Sequence, residues 1–452
     1  MNASEAKYIR MTTHPVEKLI GTFAVPSIVC MLMTSIYNMA DTWFVSRLDT
    51  QSIAAVGIVF SYMGLIQAFS FFFGHGSGNF ISRALGARKT EDAESMAATG
   101  LISAMGFSII VAILCIPLMT PVLRLLGSTD TILPYARRYF SFILLGSPFI
   151  SGCLVLNNQM RLQGNAMLSM IGILSGGILN IILDPVLIFV CGMGVSGAGL
   201  ATALSQMVCF FLMLNLTGRN GGIRISPSKF LLNAEHAKEI AAGGLPSLAR
   251  QGLLFLSTIV LNNFASRYGD SAVAGFSVAT RVMSVANAIL IGFGQGFQPV
   301  CGFNYGAGLY DRLLKALKFC AWVMTGYCTV VAAAGLAAAP QVMALFDEAD
   351  PEVIRLGTRV LRFQCLSFPV CGVVVLTNMF LQNIRRTWPA VTVAAARQGL
   401  FFIPAVLVGA LCWGLDGVIA AQPVSDICAF CLSVPLLLSA VHSLRKRGSS
   451  CQ

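Results

Sequence analysis

Residues 19–44, LIGTFAVPSIVCMLMTSIYNMADTWF, form an apolar run that is long enough to cross a bilayer, because a transmembrane helix needs about 20 mostly apolar residues. Further runs of this kind lie near residues 53–80, 97–119, 133–156, 167–190, 195–216, 241–265, 272–297, 316–339, 355–380, 390–411 and 417–441. All of them are continuous and lack the alternating pattern of transmembrane strands. The sequence therefore predicts an all-α membrane protein with twelve transmembrane helices.

The composition agrees with a surface that faces lipid. Of the 452 residues, 56% are hydrophobic and only 11% are charged, whereas a soluble domain carries about a quarter charged residues. The net charge of +11 does not indicate nucleic-acid binding, because most basic residues lie in segments that share one side of the membrane. This is the positive-inside pattern, and it predicts that both termini are cytoplasmic.

An internal repeat organises the chain. Residues of the first half recur in the second half at an offset of 220: Pro26 and Pro246, Gly76 and Gly296, Gly86 and Gly306, Gly194 and Gly414, Gly197 and Gly417. Each half holds six spans, an even number, so the halves enter the membrane in the same sense, as in a parallel repeat. We expect an N-terminal six-helix bundle over residues 1–220, a cytoplasmic linker over 221–240 and a C-terminal six-helix bundle over 241–452.

Two acidic residues lie inside spans of the first half. Asp41 and Asp184 are costly in a bilayer and are therefore functional candidates, and no acid occupies the matching positions of the second half. Each also has a simpler interpretation. Asp41 precedes Trp43, an interfacial residue type, and can reach water from there, while Asp184-Pro185 can mark a helix break.

Counting along the spans places three further oxygen-bearing side chains at the depth of the two acids. Tyr139 and Thr202 lie near the outer starts of their spans, and Asn180 is one helical turn before Asp184. Carboxylate, amide and hydroxyl oxygens suit a hard monovalent cation such as Na+, and the same acids can carry protons. The sequence therefore predicts a cation site in the N-terminal bundle.

Three arginines lie inside spans and away from their outer ends, all of them in the second half: Arg250, Arg281 and Arg397. Arg281 and Asp426 each lie nine residues from the outer start of their span, which predicts a buried pair between them. We interpret these arginines as structural, although cationic groups inside a cleft would also suit a transporter of pyrophosphate-linked lipids.

Several motifs resemble the multidrug and toxic compound extrusion (MATE) family, specifically its DinF-like prokaryotic branch, over essentially the whole chain. They are Pro26 and Asp41 in the first span, Arg83-Ala-Leu-Gly-Ala-Arg88, Asn180-Ile-Ile-Leu-Asp-Pro185, Gly197-Ala-Gly-Leu-Ala-Thr202 with Gln206, Pro246-Ser247 with Gln251, and Arg397-Gln-Gly-Leu-Phe-Phe-Ile-Pro404. The Asn-x-x-x-Asp-Pro run combined with the repeat is the specific mark, since the glycine motifs alone are weak.

The resemblance implies a V-shaped exporter of the bacterial inner membrane with twelve helices. It places cation binding and coupling at Asp41, Tyr139, Asn180, Asp184 and Thr202; if the ion is Na+, the metal ligands would be Asp41, Asn180, Asp184 and Thr202. It also implies that Tyr37 and Asn157 line the drug pocket, and that bending at Pro26 gates the pathway.

The resulting expectation is a secondary active antiporter that exports cationic or amphipathic drugs in exchange for Na+ or H+. The alternative is a lipid-linked oligosaccharide flippase of the same superfamily. No enzyme is expected, because the sequence offers no nucleophile–base constellation, and no cofactor is expected beyond the coupling ion. The expected partners are small organic cations and membrane lipids, without nucleic acid, and the chain is expected to act as a monomer.

Overall fold

The computed structural model describes residues 3–344 and 351–450, and within them every regular element is a helix. Twelve helical segments are long and apolar enough to cross a membrane: Val16–Val45, Thr50–Gly86, Thr90–Cys115, Leu133–Leu162, Ala166–Val190, Val195–Leu216, Ala234–Tyr268, Ser271–Gly306, Tyr310–Ala344, Pro351–Asn383, Thr387–Trp413 and Leu415–Ser449. The prediction of an all-α membrane protein with twelve spans is confirmed.

The chain divides into two compact units. The first comprises residues 3–14 and 29–244, and the second comprises residues 15–28, 245–344 and 351–450. Two long helices are therefore shared: α2 (Val16–Val45) passes from the second unit to the first after Ile28, and α9 (Ala234–Ala265) passes from the first to the second after Gly244. The part of α2 that carries Asp41 belongs to the first unit.

The first unit is built from helices of the N-terminal half: α1 (Ala3–Thr13), α3 (Thr50–Gly86), α4 (Thr90–Cys115), α5 (Met119–Leu125), α6 (Leu133–Leu162), α7 (Ala166–Pro185) and α8 (Val195–Leu216). Helix α6 lies in its centre and packs against α3, α4, α7 and α8. The third span ends at Cys115, four residues earlier than the sequence indicates, because the short helix α5 begins separately at Met119.

The second unit repeats this plan with α10 (Asp270–Gly306), α11 (Tyr310–Ala344), α12 (Pro351–Asn383), α13 (Thr387–Ala395), α14 (Phe402–Trp413) and α15 (Leu415–Ser450). Its central helix is α12, the counterpart of α6, which packs against α10, α11, α13 and α15. Glycine allows close contacts at repeat-related positions of both units. A Cβ on Gly76 would meet the carbonyl of Ile240, and one on Gly296 would meet Ala24 at 2.5 Å.

Each unit contains one π-helical segment in its fifth span, a type of irregularity that is frequent at functional sites. In the first unit Val186–Val190 follows Pro185, and in the second Ala396–Leu400 joins α13 to α14. The wide turn is closed by bonds between residues five apart, from the Cys191 amide to the Val186 carbonyl (2.8 Å) and from the Phe401 amide to the Ala396 carbonyl (3.1 Å).

Candidate cation site

The residues predicted to bind a cation come from four helices of the first unit. Helix α2 provides Asp41, α6 provides Tyr139, α7 provides Asn180 and Asp184, and α8 provides Thr202. Asp184 and Tyr139 are completely buried, and Asn180 and Thr202 are nearly so. Burial of so many polar groups in one bundle requires that each find a partner.

The structure brings the side chains of this group together. The Asn180 amide Nδ2 lies 3.4 Å from Asp184 Oδ1, toward which it donates across one helical turn. The two carboxylates interact electrostatically with each other, and both interact with Tyr139, whose hydroxyl lies beside the Thr202 side chain. The five residues therefore form one polar cluster inside an apolar bundle.

Two carboxylate oxygens of the cluster stand out. Asp41 Oδ1 and Asp184 Oδ2 are buried, and among the described residues neither has a hydrogen-bond donor. Burying an oxygen of a carboxylate without a donor is costly, and an ionised one needs a cation or a metal for compensation. Two such oxygens from different helices, beside an amide and two hydroxyls, form a site that a monovalent cation or a proton would complete.

Small residues, which the sequence alone indicates only as general packing positions, hold this cluster in place. A Cβ on Gly199 would lie 3.0 Å from the Tyr139 carbonyl oxygen and 3.2 Å from its ring, so glycine allows α8 to approach α6 beside the tyrosine. A Cβ on Gly177 would lie 2.9 Å from Met33 and 3.5 Å from the Tyr37 ring. In the sequence, Gly177 lies two helical turns before Asp184, and Gly199 lies about one turn before Thr202. This spacing could have indicated that both glycines lie beside the predicted site.

The residues assigned to the drug pocket and to gating lie at different places. Tyr37 is half-buried on α2, one turn before Asp41, and interacts electrostatically with it. Asn157 is buried on α6, where its Nδ2 donates to Ser169 Oγ at 2.6 Å. Pro26 is buried inside α2, in the part of that helix that belongs to the second unit.

The second unit contains a charged pair instead of an acidic cluster. Arg397 Nε donates to Asp426 Oδ1 at 2.8 Å, and Asp426 also accepts from Ser367 Oγ (2.8 Å) and Gln422 Nε2 (3.0 Å). The predicted pair between Arg281 and Asp426 is wrong. Arg281 is exposed on α10, which packs against α11 and α12, whereas Asp426 lies on α15 next to the π-helical segment that carries Arg397.

Among residues 3–344 and 351–450, no group of three or more His, Cys, Asp or Glu side chains is arranged to hold a metal ion. The acidic cluster of the first unit, with two carboxylates and neutral oxygens, is of a different class. Such a ligand set is weak for transition metals, which prefer imidazole and thiolate, and suits hard cations.

Comparison with known proteins gives one family and a consistent set of relatives. The MatE family profile matches residues 26–186 and 246–407, once in each half. Multidrug export protein MepA of Staphylococcus haemolyticus is 28% identical over 443 residues, covering 95% of this chain and 94% of that protein.

Comparison with solved structures gives transporters of the same kind. A crystal structure of MATE in complex with MaL6 superposes with a TM-score of 0.91 at 25% identity, covering 97% of this chain and 99% of that one. A transporter of the MOP superfamily from Pyrococcus furiosus, described as having a binding pocket of reverse polarity that suggests a different function, superposes with a TM-score of 0.88 at 26% identity, covering 97% and 98%.

Proposed function

Because the chain belongs to the MatE family, a family of transporters and not of enzymes, it is a multi-pass membrane protein of multidrug efflux, and we propose that it works as an antiporter. In this proposal it exports cationic or amphipathic drugs in exchange for Na+ or H+ that moves inward. The observation that carries the proposal is the pair of buried carboxylate oxygens, Asp41 Oδ1 and Asp184 Oδ2, that lack donors within the described residues.

The coupling ion supplies the partner that these oxygens lack. Asp41 and Asp184 provide the negative charge, while Asn180 and Thr202 provide neutral oxygens and Tyr139 closes the site. A sodium ion would be held by Asp41, Asn180, Asp184 and Thr202; a proton would be held by one of the two acids. The two ions use the same carboxylates, so the choice between them belongs to experiment.

Coupling follows from the nearness of drug and ion positions. Tyr37, proposed to line the drug pocket, lies one turn from Asp41 on the same face of α2. An ion on Asp41 removes the negative charge that would attract a cationic drug, so ion and drug favour different states. Exchange requires this opposed preference. Asn157 is proposed to line the same pocket, and bending of α2 at Pro26 to gate it.

The remaining parts of the proposal concern surroundings and partners. We propose the bacterial inner membrane as the location, and the positive-inside pattern supports cytoplasmic termini. The partners are organic cations and membrane lipids, not nucleic acid, and the chain is proposed to act as a monomer. The flippase alternative needs several cations without acidic partners, and the Arg397 cation has such a partner in Asp426.

The test is ethidium efflux from proteoliposomes under an imposed Na+ gradient or an imposed pH gradient. We expect efflux under one gradient, which identifies the ion, and its loss in Asp41→Asn. Asp92→Asn is the control, because Asp92 is an exposed acid of the same unit whose nearest cation, Lys89, is 4.0 Å away. Full efflux by Asp41→Asn would rule out the acidic cluster, and absence of efflux by folded wild-type protein under both gradients would turn attention to a flippase.

A further inference from the structure

The arginine of the second unit is only partly occupied by its acidic partner. Arg397 Nε donates to Asp426, but the two terminal nitrogens, Nη1 and Nη2, donate no hydrogen bond to any described residue. The Arg397 side chain is 17% exposed, whereas the Asp426 side chain is 3% exposed. The donor edge of the guanidinium that matches a carboxylate is therefore open, while its other edge is fixed.

The position of this edge is determined by the backbone around it. The π-helical segment Ala396–Leu400 widens the fifth span of the second unit at Arg397. Ser425 Oγ donates to the Arg397 carbonyl at 2.7 Å, and Ser257 Oγ donates to the carbonyl of Gln398. Asp426 is itself held by Ser367 and Gln422. An arginine fixed in this way loses little side-chain freedom when it binds a ligand.

The depth of Arg397 decides which kind of ligand can reach it. It lies ten residues from the start of the span Thr387–Trp413 and sixteen from its end, which at the rise of a helix is about 15 Å and about 24 Å. Phosphates of lipid headgroups lie outside a hydrocarbon core about 30 Å thick. A cation kept inside a span with an open donor edge is a functional candidate by default, and a molecule in transit is the kind of ligand that could reach it.

We propose that Arg397 binds the carboxylate, or an equivalent anionic oxygen group, of amphipathic zwitterionic substrates, and that Asp426 is its positioning residue. The inference rests on the proposed export function and extends it, because the acidic cluster of the first unit suits cationic groups alone.

The test uses two probes that differ in a single group, rhodamine B, which carries a free carboxylate, and its ethyl ester, which is a pure cation. Equilibrium binding to the purified protein is followed by fluorescence anisotropy, and efflux is followed in proteoliposomes. Arg397→Lys keeps the positive charge beside Asp426 but removes the planar fork. We expect rhodamine B binding to weaken about tenfold, as for loss of a charge-assisted hydrogen bond, and ester binding to stay within about twofold of wild type.

Arg281→Lys is the matched control, because Arg281 is a span arginine of the same unit that is exposed; it should leave both probes unchanged. Asp426→Asn keeps Arg397 but holds it less firmly, so it should weaken the binding of rhodamine B, and not that of the ester, by a smaller factor than Arg397→Lys. It serves as the second variant if Arg397→Lys fails to fold. Equal weakening of both probes, unchanged rhodamine B binding, or a wild-type protein that binds only the ester would each overturn the proposal.

Two further measurements separate the role of Arg397 from a failure of transport and from lipid binding. If the wild type binds both probes but exports neither under any gradient, the antiporter proposal fails while the binding comparison still decides the role of Arg397. If selectivity for rhodamine B vanishes in vesicles that contain anionic phospholipid and returns without it, lipid phosphate occupies Arg397 and the substrate assignment is wrong.

Discussion

The two units place buried acids in opposite environments. In the first unit Asp41 and Asp184 each keep one buried oxygen without a donor among the described residues. In the second unit Asp426 accepts hydrogen bonds from Arg397, Gln422 and Ser367. The two halves of the repeat thus contain one acidic site whose charge has no partner among the described residues and one acid whose charge is compensated within its unit. The difference supports our proposal that the first unit binds the coupling ion.

The largest expected effect concerns the compensated pair. Asp426 is the buried member of the pair and Arg397 is partly exposed; Asp426→Ala leaves the Arg397 cation without its partner, and breaking a buried pair from one side destabilises a protein by about 3–5 kcal/mol. We expect a marked fall in the thermal unfolding temperature in detergent. Replacing both residues with apolar side chains, Arg397→Met with Asp426→Leu, should restore most of the loss, because no uncompensated charge remains.

The contrast between the units would break if Asp426→Ala unfolded at the wild-type temperature. Such a result would mean that the Arg397 guanidinium reaches water or another acceptor without Asp426, and that the second unit, like the first, tolerates an uncompensated charge. A double variant less stable than Asp426→Ala would instead show that the apolar replacements pack poorly.

The next effect concerns the uncompensated site. Asp184→Asn keeps the shape of the side chain but removes the charge that we propose binds the coupling ion. We expect ion-driven ethidium efflux to fall at least about hundredfold, which corresponds to roughly 2.7 kcal/mol. Stability should not fall with it, because a buried carboxylate oxygen without a donor is a liability that the amide lessens. Unfolding temperature and efflux are measured on the same preparation.

A loss of stability that parallels the loss of efflux would contradict this interpretation, because it would make Asp184 a structural acid like Asp426. Efflux that persists under both gradients would exclude Asp184 from coupling. Asp92→Asn, an exposed carboxylate change in the same unit, provides the baseline for both measurements.

Much of this contrast could be read from the sequence, and the reason is geometric. Helical rise fixes depth, so counting along spans placed Asp41, Asn180 and Asp184 at one level, and the structure brings their side chains together. Depth does not tell which helices are neighbours. The same counting therefore paired Asp426 with Arg281, whereas packing of α15 beside the π-helical segment gives it Arg397.

Other features lie beyond such counting. Asp184-Pro185 was open to interpretation as a helix break, but the helix continues through Pro185 into a π-helical turn. The cation-binding roles, the drug pocket, the gating role of Pro26, the coupling ion and the DinF-like branch stay predictions, because the positions of side chains do not identify a ligand or a motion.

A smaller effect tests the glycine that supports the acidic cluster. Gly199 lies against Tyr139, where an added Cβ would be 3.0 Å from the carbonyl oxygen, and its repeat counterpart at an offset of 220 is the buried Ile419. Gly199→Ala should destabilise the first unit by about 1–3 kcal/mol through overpacking and weaken ion-driven efflux by displacing the tyrosine.

Gly57→Ala is the matched control, since no atom lies within 4 Å of the Cβ that would be added in α3. It should be neutral or stabilise by up to about 1 kcal/mol through better helix propensity. If Gly199→Ala behaved like Gly57→Ala in both stability and efflux, the close approach of α8 to α6 would be irrelevant to the cation site.

The smallest effect is expected at an exposed pair of the second unit, which separates burial from mere ion pairing. Arg359 Nη2 lies 2.6 Å from Asp416 Oδ1, closer than Arg397 is to Asp426, but the two side chains are 42% and 62% exposed. Water screens such a pair, so Asp416→Ala should change the free energy of unfolding by no more than about 1 kcal/mol. This change is measured by unfolding in detergent, beside that of Asp426→Ala.

Comparable losses of unfolding free energy in the two variants would show that distance and not burial determines the strength of these pairs. The contrast between the buried acids of the two units would then lose its physical basis.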